Sequence, residues 1–486
     1  MDGVRNTVRF ILDGKTVTID FEKEMISPTI TVLNYIRSLP KHKGVKEGCA
    51  EGDCGACTVV LAEADSNGKM TYRAVNSCLI FLPMIDGKHL ITIENLAQKE
   101  SGEVKLHAVQ QAMVDLNGSQ CGFCTPGIVM SIFALQKSHV NPSREIAEDA
   151  LTGNLCRCTG YQPILNAALK SSNGEPDHFT KDEKNISEEL SKLNSEPTDI
   201  LIKTKDQTYI QPKSLKSALK YVSQNPDAII INGSTDVALK QTKKFELIPK
   251  VIDLSAVQEL KFFNEDEDQI EIGAGLPLES VKIKLNGKFC AFADALKVFA
   301  SKQIRELATL GGNIGTASPI GDTIPLLFAY DAKLKIVNQN GERLIRIEDF
   351  IKGYRQTDLK AGELIYTVMI PKHQNVKFYK VSKRKDLDIS TVSAGFRIGL
   401  NNEKVKDICL AFGGMAAMPK RAKKTEAFLL GKAWNENNVE AAMKILKEEF
   451  QPLSDARSGK EFRKLAAKNL LLKFYEETKD ELSPAR

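Results

Sequence analysis

Residues 46–57 read KEGCAEGDCGAC, three cysteines and three glycines in twelve residues. This stretch constrains the fold more than any other, because a chain with only 10 cysteines among 486 residues sets three of them with four residues between the first two and two between the next. Thiols placed so closely share either a bond or a ligand, and the redox compartment decides which. The first residues, MDGVRNTVRFILDGK, contain no long apolar core, and no uninterrupted apolar run is long enough to cross a bilayer. The expected location is therefore the cytoplasm, where a reducing environment makes clustered thiols metal ligands rather than disulfides. With 42% apolar and 27% charged residues, the composition is that of an ordinary soluble globular protein. A net charge of +5, with Lys and Arg interleaved among Asp and Glu, carries no nucleic-acid footprint.

At this length one hydrophobic core is not enough, and roughly three or four domains are expected. VRFILDGKTVTIDF alternates apolar and polar residues around Asp13-Gly14, the dipeptide that favours a type I′ hairpin turn. Thr31 is placed to cap a helix beginning at Val32. Strand patterns continue through KMTYRAVNSCLIF and HLITIE, so residues 1–93 read as a small mixed domain. From 104 the period becomes helical, with Leu106, Val109, Met113 and Leu116 on one face, a stop at Gly118 and two further helices. Residues 94–170 thus read as an all-helical domain. The charged stretch 171–198, poor in large apolar residues, reads as a solvated linker. An α/β region follows over 199–373, and a fourth unit over 374–486 ends in the amphipathic helices VEAAMKILKEEF and FRKLAAKNLLLKFYEE. No internal repeat is visible.

Eight of the cysteines form two sets. Cys49, Cys54, Cys57 and Cys78 have the spacing of a plant-type 2Fe-2S ferredoxin, with Gly48, Gly52 and Gly55 letting the loop wrap and turn N–H groups toward the sulfurs. A structural zinc site is the alternative, although zinc usually takes two short cysteine pairs rather than three plus one. Cys121, Cys124, Cys156 and Cys158 form the second set, in QCGFCTPGIVMS and GNLCRCTGYQPI. Thr125 as N-cap with Pro126 at N1 puts one pair at a helix start, where the dipole favours thiolates, and Thr159 is placed to begin another helix beside the second pair. Zinc competes as a reading here too. Cys290 and Cys409 sit among apolar residues and read as packed core thiols.

A ferredoxin-type domain followed by QCGFCTPG and LCRCTGY resembles the iron-sulfur part of the molybdenum hydroxylases, the xanthine dehydrogenase and aldehyde oxidase family. That resemblance implies that both cysteine sets hold 2Fe-2S clusters and that Gln120 contacts the molybdopterin of a partner. Without it, Gln120 is an exposed polar residue at a helix entry. Two glycine turns extend the likeness: INGSTD, at residues 231–236, and TLGGNIGTASPIGD, at 309–322. Each offers backbone N–H groups to a phosphate, although such turns are more often plain loop punctuation. GAGLPL at 273–278 lacks the last glycine of a dinucleotide fingerprint, and no Walker A sequence occurs. Both turns resemble the flavin-binding loops of the family, which implies FAD contacts from Asn232, Gly233, Ser234, Thr235 and Asp236, and from Gly311, Gly312, Asn313, Thr316, Ser318 and Asp322. The first loop departs from the commoner Gly-Gly-Thr-Asp form. KVSKRKDLDISTVSAGFRI and AFGGMAAMPKRAKKTE resemble the C-terminal flavoprotein domain, and within them Lys383, Arg384, Lys385, Asp386 and Asp388 resemble the loop near the flavin ring where the electron acceptor is chosen. By charge pattern alone that loop is a solvated turn.

The expected fold class is α+β multidomain: a β-grasp ferredoxin-like domain, a helical-bundle 2Fe-2S domain, an α/β FAD-binding domain and an α+β C-terminal flavoprotein domain. Nothing resembles the large molybdenum-binding half of the family. The resemblance therefore implies a small iron-sulfur/FAD subunit with a separate molybdenum-binding large subunit, as a heterotetramer of two small and two large chains. The partner would hydroxylate a purine, and electrons would leave through two 2Fe-2S clusters and FAD to NAD. The same domains would serve a relative acting on an aldehyde, a nicotinate-like heterocycle, carbon monoxide or a hydroxybenzoyl thioester. A redox sensor or scaffold with two structural metal sites is the non-enzymatic reading.

Overall fold

The computed structural model describes residues 3–100, 102–195 and 198–480. Both members of the Asp13-Gly14 turn have positive φ, 49° and 80°, which matches the right-handed twist of the flanking strands Thr7–Leu12 and Lys15–Asp20. His89–Ile91, Thr58–Ala64 and Met70–Asn76 complete a five-stranded mixed sheet. Thr31 caps the helix Val32–Ser38 as expected, its hydroxyl accepting from the Asn34 N–H at 3.2 Å.

The chain divides into two compact units, and the division does not follow the sequence order. One unit runs to Gln258 and takes back Ser301–Ala308; the other holds Glu259–Ala300 and the chain from Thr309 onward. The expected α/β region over 199–373 is thus shared between them. In the first unit a second sheet, Val4–Arg5, Asp199–Lys203, Thr208–Gln211, Lys250–Asp253 and Ile229–Ile231, recruits the start of the chain as an edge strand parallel to Asp199–Lys203. Buried Asp86 fastens that edge, paired with Arg5 and with Lys213 at 2.9 Å. One apolar cluster runs continuously from Phe10, Ile36 and Phe81 to Tyr209 and Val251.

The helical region departs from expectation first in the short antiparallel strands Gln98–Glu100 and Glu103–Lys105 that precede its helices, and then in three further places. Its first helix is Ala108–Asp115, capped by His107, so Leu106 lies ahead of it and is exposed. Three more helices follow rather than two: Thr125–Ser138, Arg144–Leu151 and Gln162–Ser171. The stretch read as linker contains the 16-residue helix His178–Leu193, because Phe179, Ile186 and Leu190 give it a narrow apolar stripe that packs into the helical core beside Phe133. Glu196 and Pro197, at the linker's end, lie outside the described residues.

In the second unit an antiparallel sheet, Phe263–Glu265, Gln269–Gly273, Leu364–Pro371, Lys333–Asn338 and Gly341–Arg346, precedes a four-stranded one of Val376–Val381, Val392–Asn401, Lys404–Gly413 and Lys420–Arg421. The helices Glu436–Glu449 and Lys460–Thr478 bury Val439, Leu446, Leu471 and Phe474 with Phe396 and Phe412 of that sheet. Among the described residues no helix is long and apolar enough to cross a membrane.

Candidate iron-sulfur and flavin sites

The first cysteine loop winds through residues that need positive φ: Ala50 at 55°, Gly52 at 84° and Gly55 at 70°. That path turns backbone donors onto sulfur. Cys49 Sγ accepts from the N–H groups of Glu51 (3.4 Å) and Cys54 (3.3 Å), and Cys54 Sγ accepts from Cys49 N–H (3.3 Å). A side chain at Gly48 would reach within 2.7 Å of Cys54 Sγ. The thiols come in pairs. Cys57 and Cys78 are buried with sulfurs 3.3 Å apart, while Cys49 and Cys54 form the other pair and are half-buried. In each pair one hydrogen bond favours one thiolate at the other's expense. The Cys54 thiol takes Cys49 down to about 5, and its own value is pushed up by Cys49. Cys78 lowers Cys57 and is itself raised.

The second set shows the same pairing. Cys121 is lowered by the Phe123 N–H and then by Cys158, which is raised in turn. Burial and then Cys156 push Cys124 up to about 12; Cys156, despite burial, is held at about 7 by hydrogen bonds from Thr159 and nearby N–H groups. The caps differ from expectation by a residue or more. Thr125 is the first residue of Thr125–Ser138, Cys124 occupies the cap position, and the Thr125 hydroxyl bonds Ser119 at 2.7 Å. Thr159 starts no helix, because Tyr161, with φ of 68°, precedes Gln162–Ser171; the Thr159 hydroxyl instead lies 3.2 Å from Cys156 Sγ. Gln120, Cys121, Cys158, Phe123 and Tyr161 are all exposed.

Among the described residues no three His, Cys, Asp or Glu side chains are grouped to hold a single metal ion. Two thiol pairs per set, each receiving backbone N–H groups, fit two irons held by two thiolates each. The two loops touch directly: Leu155 N–H, next to Cys156, donates to the Cys54 carbonyl at 3.0 Å.

Each unit carries one flavin-type loop. In the first, Gly233 follows the strand Ile229–Ile231 and passes so close to Leu307 that a Cβ would lie 1.9 Å from its carbonyl oxygen. Ser234 has φ of 56°, its hydroxyl donates to the Leu79 carbonyl, and its own carbonyl accepts from Ala238 N–H at 2.8 Å. Asp236 is half-buried and precedes the short helix Ala238–Thr242. The second loop is a helix rather than a turn. Thr309 caps Leu310–Thr316, accepting from Gly312 N–H at 3.1 Å, and Gly311 seats against Ala274 of the GAGLPL stretch, where a Cβ would be 2.6 Å from the alanine methyl. On its other face Gly312 and Gly315 are exposed and Thr316 is half-buried, its hydroxyl donating to the Gly312 carbonyl at 2.9 Å; the two exposed glycines suit the close approach of a diphosphate to backbone. Asn313 accepts from Thr323 at 2.5 Å, and the Ser318 hydroxyl accepts from Ile320 N–H at 3.4 Å. Asp322 is buried and engaged by protein: Lys380 Nζ at 3.0 Å and Ser390 Oγ at 2.5 Å. Nothing in the strand pattern of FYKV marked Lys380 beforehand.

Residues 382–391 connect Val376–Val381 to Val392–Asn401. Arg384 clasps Asp388, donating from its backbone (2.7 Å) and its guanidinium (2.6 and 2.9 Å), and holds that carboxyl below its usual range against the effect of burial. Lys383 and Lys385 are exposed and Asp386 half-buried. Cys290, expected in the core, is exposed: it opens the helix Cys290–Lys297, whose apolar face is Phe292, Ala293, Ala295 and Leu296. Cys409 is fully buried.

Residues 92–169 match a [2Fe-2S] binding domain, 203–373 the FAD binding domain in molybdopterin dehydrogenase, and 377–478 the CO dehydrogenase flavoprotein C-terminal domain. Together these are the domains of the FAD and 2Fe-2S part of the molybdenum hydroxylases. It is 34% identical to xanthine dehydrogenase 1 of Arabidopsis thaliana over 92% of its length, and 34% identical to the xanthine dehydrogenase of Emericella nidulans over 97%. It spans 38% of each of those proteins. Carbon monoxide dehydrogenase from Hydrogenophaga pseudoflava (24% identity, TM-score 0.52, 55% of this chain and 94% of that one) and quinoline 2-oxidoreductase from Pseudomonas putida 86 (24%, 0.51, 57% and 98%) share its fold.

Proposed function

We propose that this chain is the electron-transfer part of a xanthine dehydrogenase, serving a molybdenum-bearing partner subunit that hydroxylates hypoxanthine or xanthine in the cytoplasm, with NAD as final acceptor. The supporting observation is the arrangement of the two thiol sets: the second brings Cys121 and Cys158 to the surface beside Gln120, the first keeps Cys57 and Cys78 buried and Cys49 and Cys54 half-buried, and the Leu155–Cys54 hydrogen bond lies between them. When bound, two 2Fe-2S clusters and FAD supply a one-electron relay and its conversion to a two-electron output.

The protein's own part is holding and tuning. Cys121, Cys124, Cys156 and Cys158 would hold one cluster at the surface, where Gln120, Phe123 and Tyr161 offer a polar and apolar rim to the partner's pterin. Cys49, Cys54, Cys57 and Cys78 would hold the other, with N–H groups on sulfur stabilising added negative charge. In the first unit the backbone of Asn232, Gly233 and Thr235, and in the second the exposed backbone of Gly312 beside Thr316, are each suited to a phosphate of FAD. Around the flavin ring, the stapled Arg384–Asp388 pair leaves Lys383 and Lys385 as the cations open to an anionic dinucleotide.

The purified chain is expected to carry about four irons and one flavin. Zinc in place of iron in anaerobically prepared protein would sink the cofactor assignment. Reconstitution with the partner and assay against hypoxanthine, xanthine, an aldehyde and a nicotinate-like heterocycle decides the substrate, turnover of a purine with NAD being the expected result.

A further inference from the structure

After Ala300 the chain leaves one unit for eight residues, Ser301–Ala308, before Thr309 opens the second flavin helix. Those eight residues carry Gln303 and Arg305, both fully buried in the first unit. Arg305 pairs with Asp149 at 2.6 Å, and Lys302 N–H donates to the Thr152 hydroxyl at 3.3 Å, so the segment is fixed along the helix Arg144–Leu151 and the turn after it.

Gln303 reaches further. Its Nε2 shares its two N–H groups among the Ala150 carbonyl (2.9 Å), Ser131 Oγ (3.0 Å) and Asn154 Oδ1 (3.0 Å), and Ser131 Oγ also donates to Asn154 Oδ1 at 2.6 Å. With its oxygen held on that side, the Asn154 amide must present its Nδ2 in the opposite direction. There it donates to the Gly55 carbonyl and to Thr58 Oγ1, each at 3.1 Å. Gly55 lies between Cys54 and Cys57 in the first cysteine loop. One residue beyond Asn154, Leu155 N–H donates to the Cys54 carbonyl and leads into Cys156 of the second set. The site is built without slack. A Cβ on Gly153 would lie 2.0 Å from Gln303 Oε1, one on Gly55 would lie 2.0 Å from the Gly153 carbonyl, and one on Gly127 would lie 2.1 Å from the Gly55 carbonyl.

We propose that Gln303 is a positioning residue for both iron-sulfur loops: by orienting the Asn154 amide it fixes the Gly55 carbonyl of one loop and the Leu155–Cys156 peptide of the other, and so sets the separation of the two thiol sets. It touches neither set itself. The inference rests on the reading of both sets as 2Fe-2S ligands. It assigns a role in cluster geometry to a glutamine that stands beside the flavin loop in sequence.

Gln303→Leu in the full-length chain keeps the bulk and removes every donor. Iron and flavin content are expected to stay unchanged while the electron paramagnetic resonance signal of the first set, identified as the one lost in Cys54→Ala, shifts and its magnetic coupling to the second signal changes. Arg305→Lys, which weakens the same segment's hold on Asp149 without touching the amide, is expected to lower the melting temperature and leave both signals in place. A Gln303→Leu protein that melts lower but keeps wild-type spectra would show a structural role only and overturn the proposal. If Gln303→Leu fails to fold, Ser131→Ala takes one hydroxyl from the same network; a displaced signal supports the inference and an unchanged spectrum refutes it. A wild-type chain without two distinguishable signals overturns the reading of the thiol sets, and this inference with it.

Discussion

At the scale of single residues, each sulfur pair behaves as a unit because one thiol's hydrogen bond stabilises the other's thiolate. A change to one member should therefore remove a whole set and spare the other, whose ligands sit on different elements. Cys54→Ala is expected to halve the iron content and abolish one of two iron-sulfur signals; losing both with the fold intact would argue against the assignment. Gly55 is a sharper test of the loop's path. Its φ of 70° costs a residue with a side chain about 1–3 kcal/mol, and a Cβ would lie 2.0 Å from the Gly153 carbonyl. Gly55→Ala should lower stability by at least that amount in chemical denaturation and disturb both sets at once, since this carbonyl is where the two loops meet.

At the scale of elements, the helix His178–Leu193 shows how a polar sequence becomes part of a core. Its cap residue Asp177 accepts from Lys137 and, at 2.9 Å, pairs with His107, and Lys137 also lies 5.7 Å from the centres of the Phe133 and Phe179 rings. Despite burial, His107 and Lys137 hold the Asp177 carboxyl far below its usual range. A depressed carboxylate contributes stability above its ordinary titration range and loses it as the pH falls toward the folded-state value. Asp177→Asn is thus expected to cost about 3 kcal/mol at neutral pH. The gap between variant and wild type should begin to narrow below about pH 4 and close only as the pH falls through the lower folded-state value. Melting curves across that range, with hydrogen exchange of residues 178–193, measure both; a gap independent of pH would assign the effect to packing alone.

At the scale of the whole molecule, the chain is cut into two units at positions that no composition shift announces, and one flavin-type loop lies in each. The loop proposed to meet the acceptor belongs entirely to the second unit. Because Arg384 is already neutralised by Asp388, reversing it would break the loop's own staple as well as change its charge, so Lys383→Glu is the cleaner probe. This change is expected to raise the Michaelis constant for NADH in flavin-dependent dye reduction by roughly three- to tenfold and to flatten its salt dependence, leaving iron and flavin content unchanged. A Michaelis constant that stays at the wild-type value would remove the loop from acceptor binding.

What was legible in the sequence was local chemistry. Cysteine spacing, the Asp13-Gly14 turn, the Thr31 cap and the C-terminal amphipathic helices all express short-range geometry, in which a residue's neighbours in the chain are its neighbours in space. The paired motifs QCGFCTPG and LCRCTGY, and the separate loop TLGGNIGTASPIGD, carried the family for the same reason. Tertiary structure alone decided the rest. Phe179, Ile186 and Leu190 are too few to mark a buried helix until the helical core receives them, and Val4–Arg5 becomes a strand only because Asp199–Lys203 lies beside it. TLGGNIG folds as a helix because Thr309 caps it and Ala274 gives Gly311 its seat. Gln303 and Arg305 read as ordinary polar residues until long-range folding buries them against the cysteine loops. Such partners stand about 150 residues away in the chain, beyond the reach of any pattern whose period is a helical turn or a strand pleat.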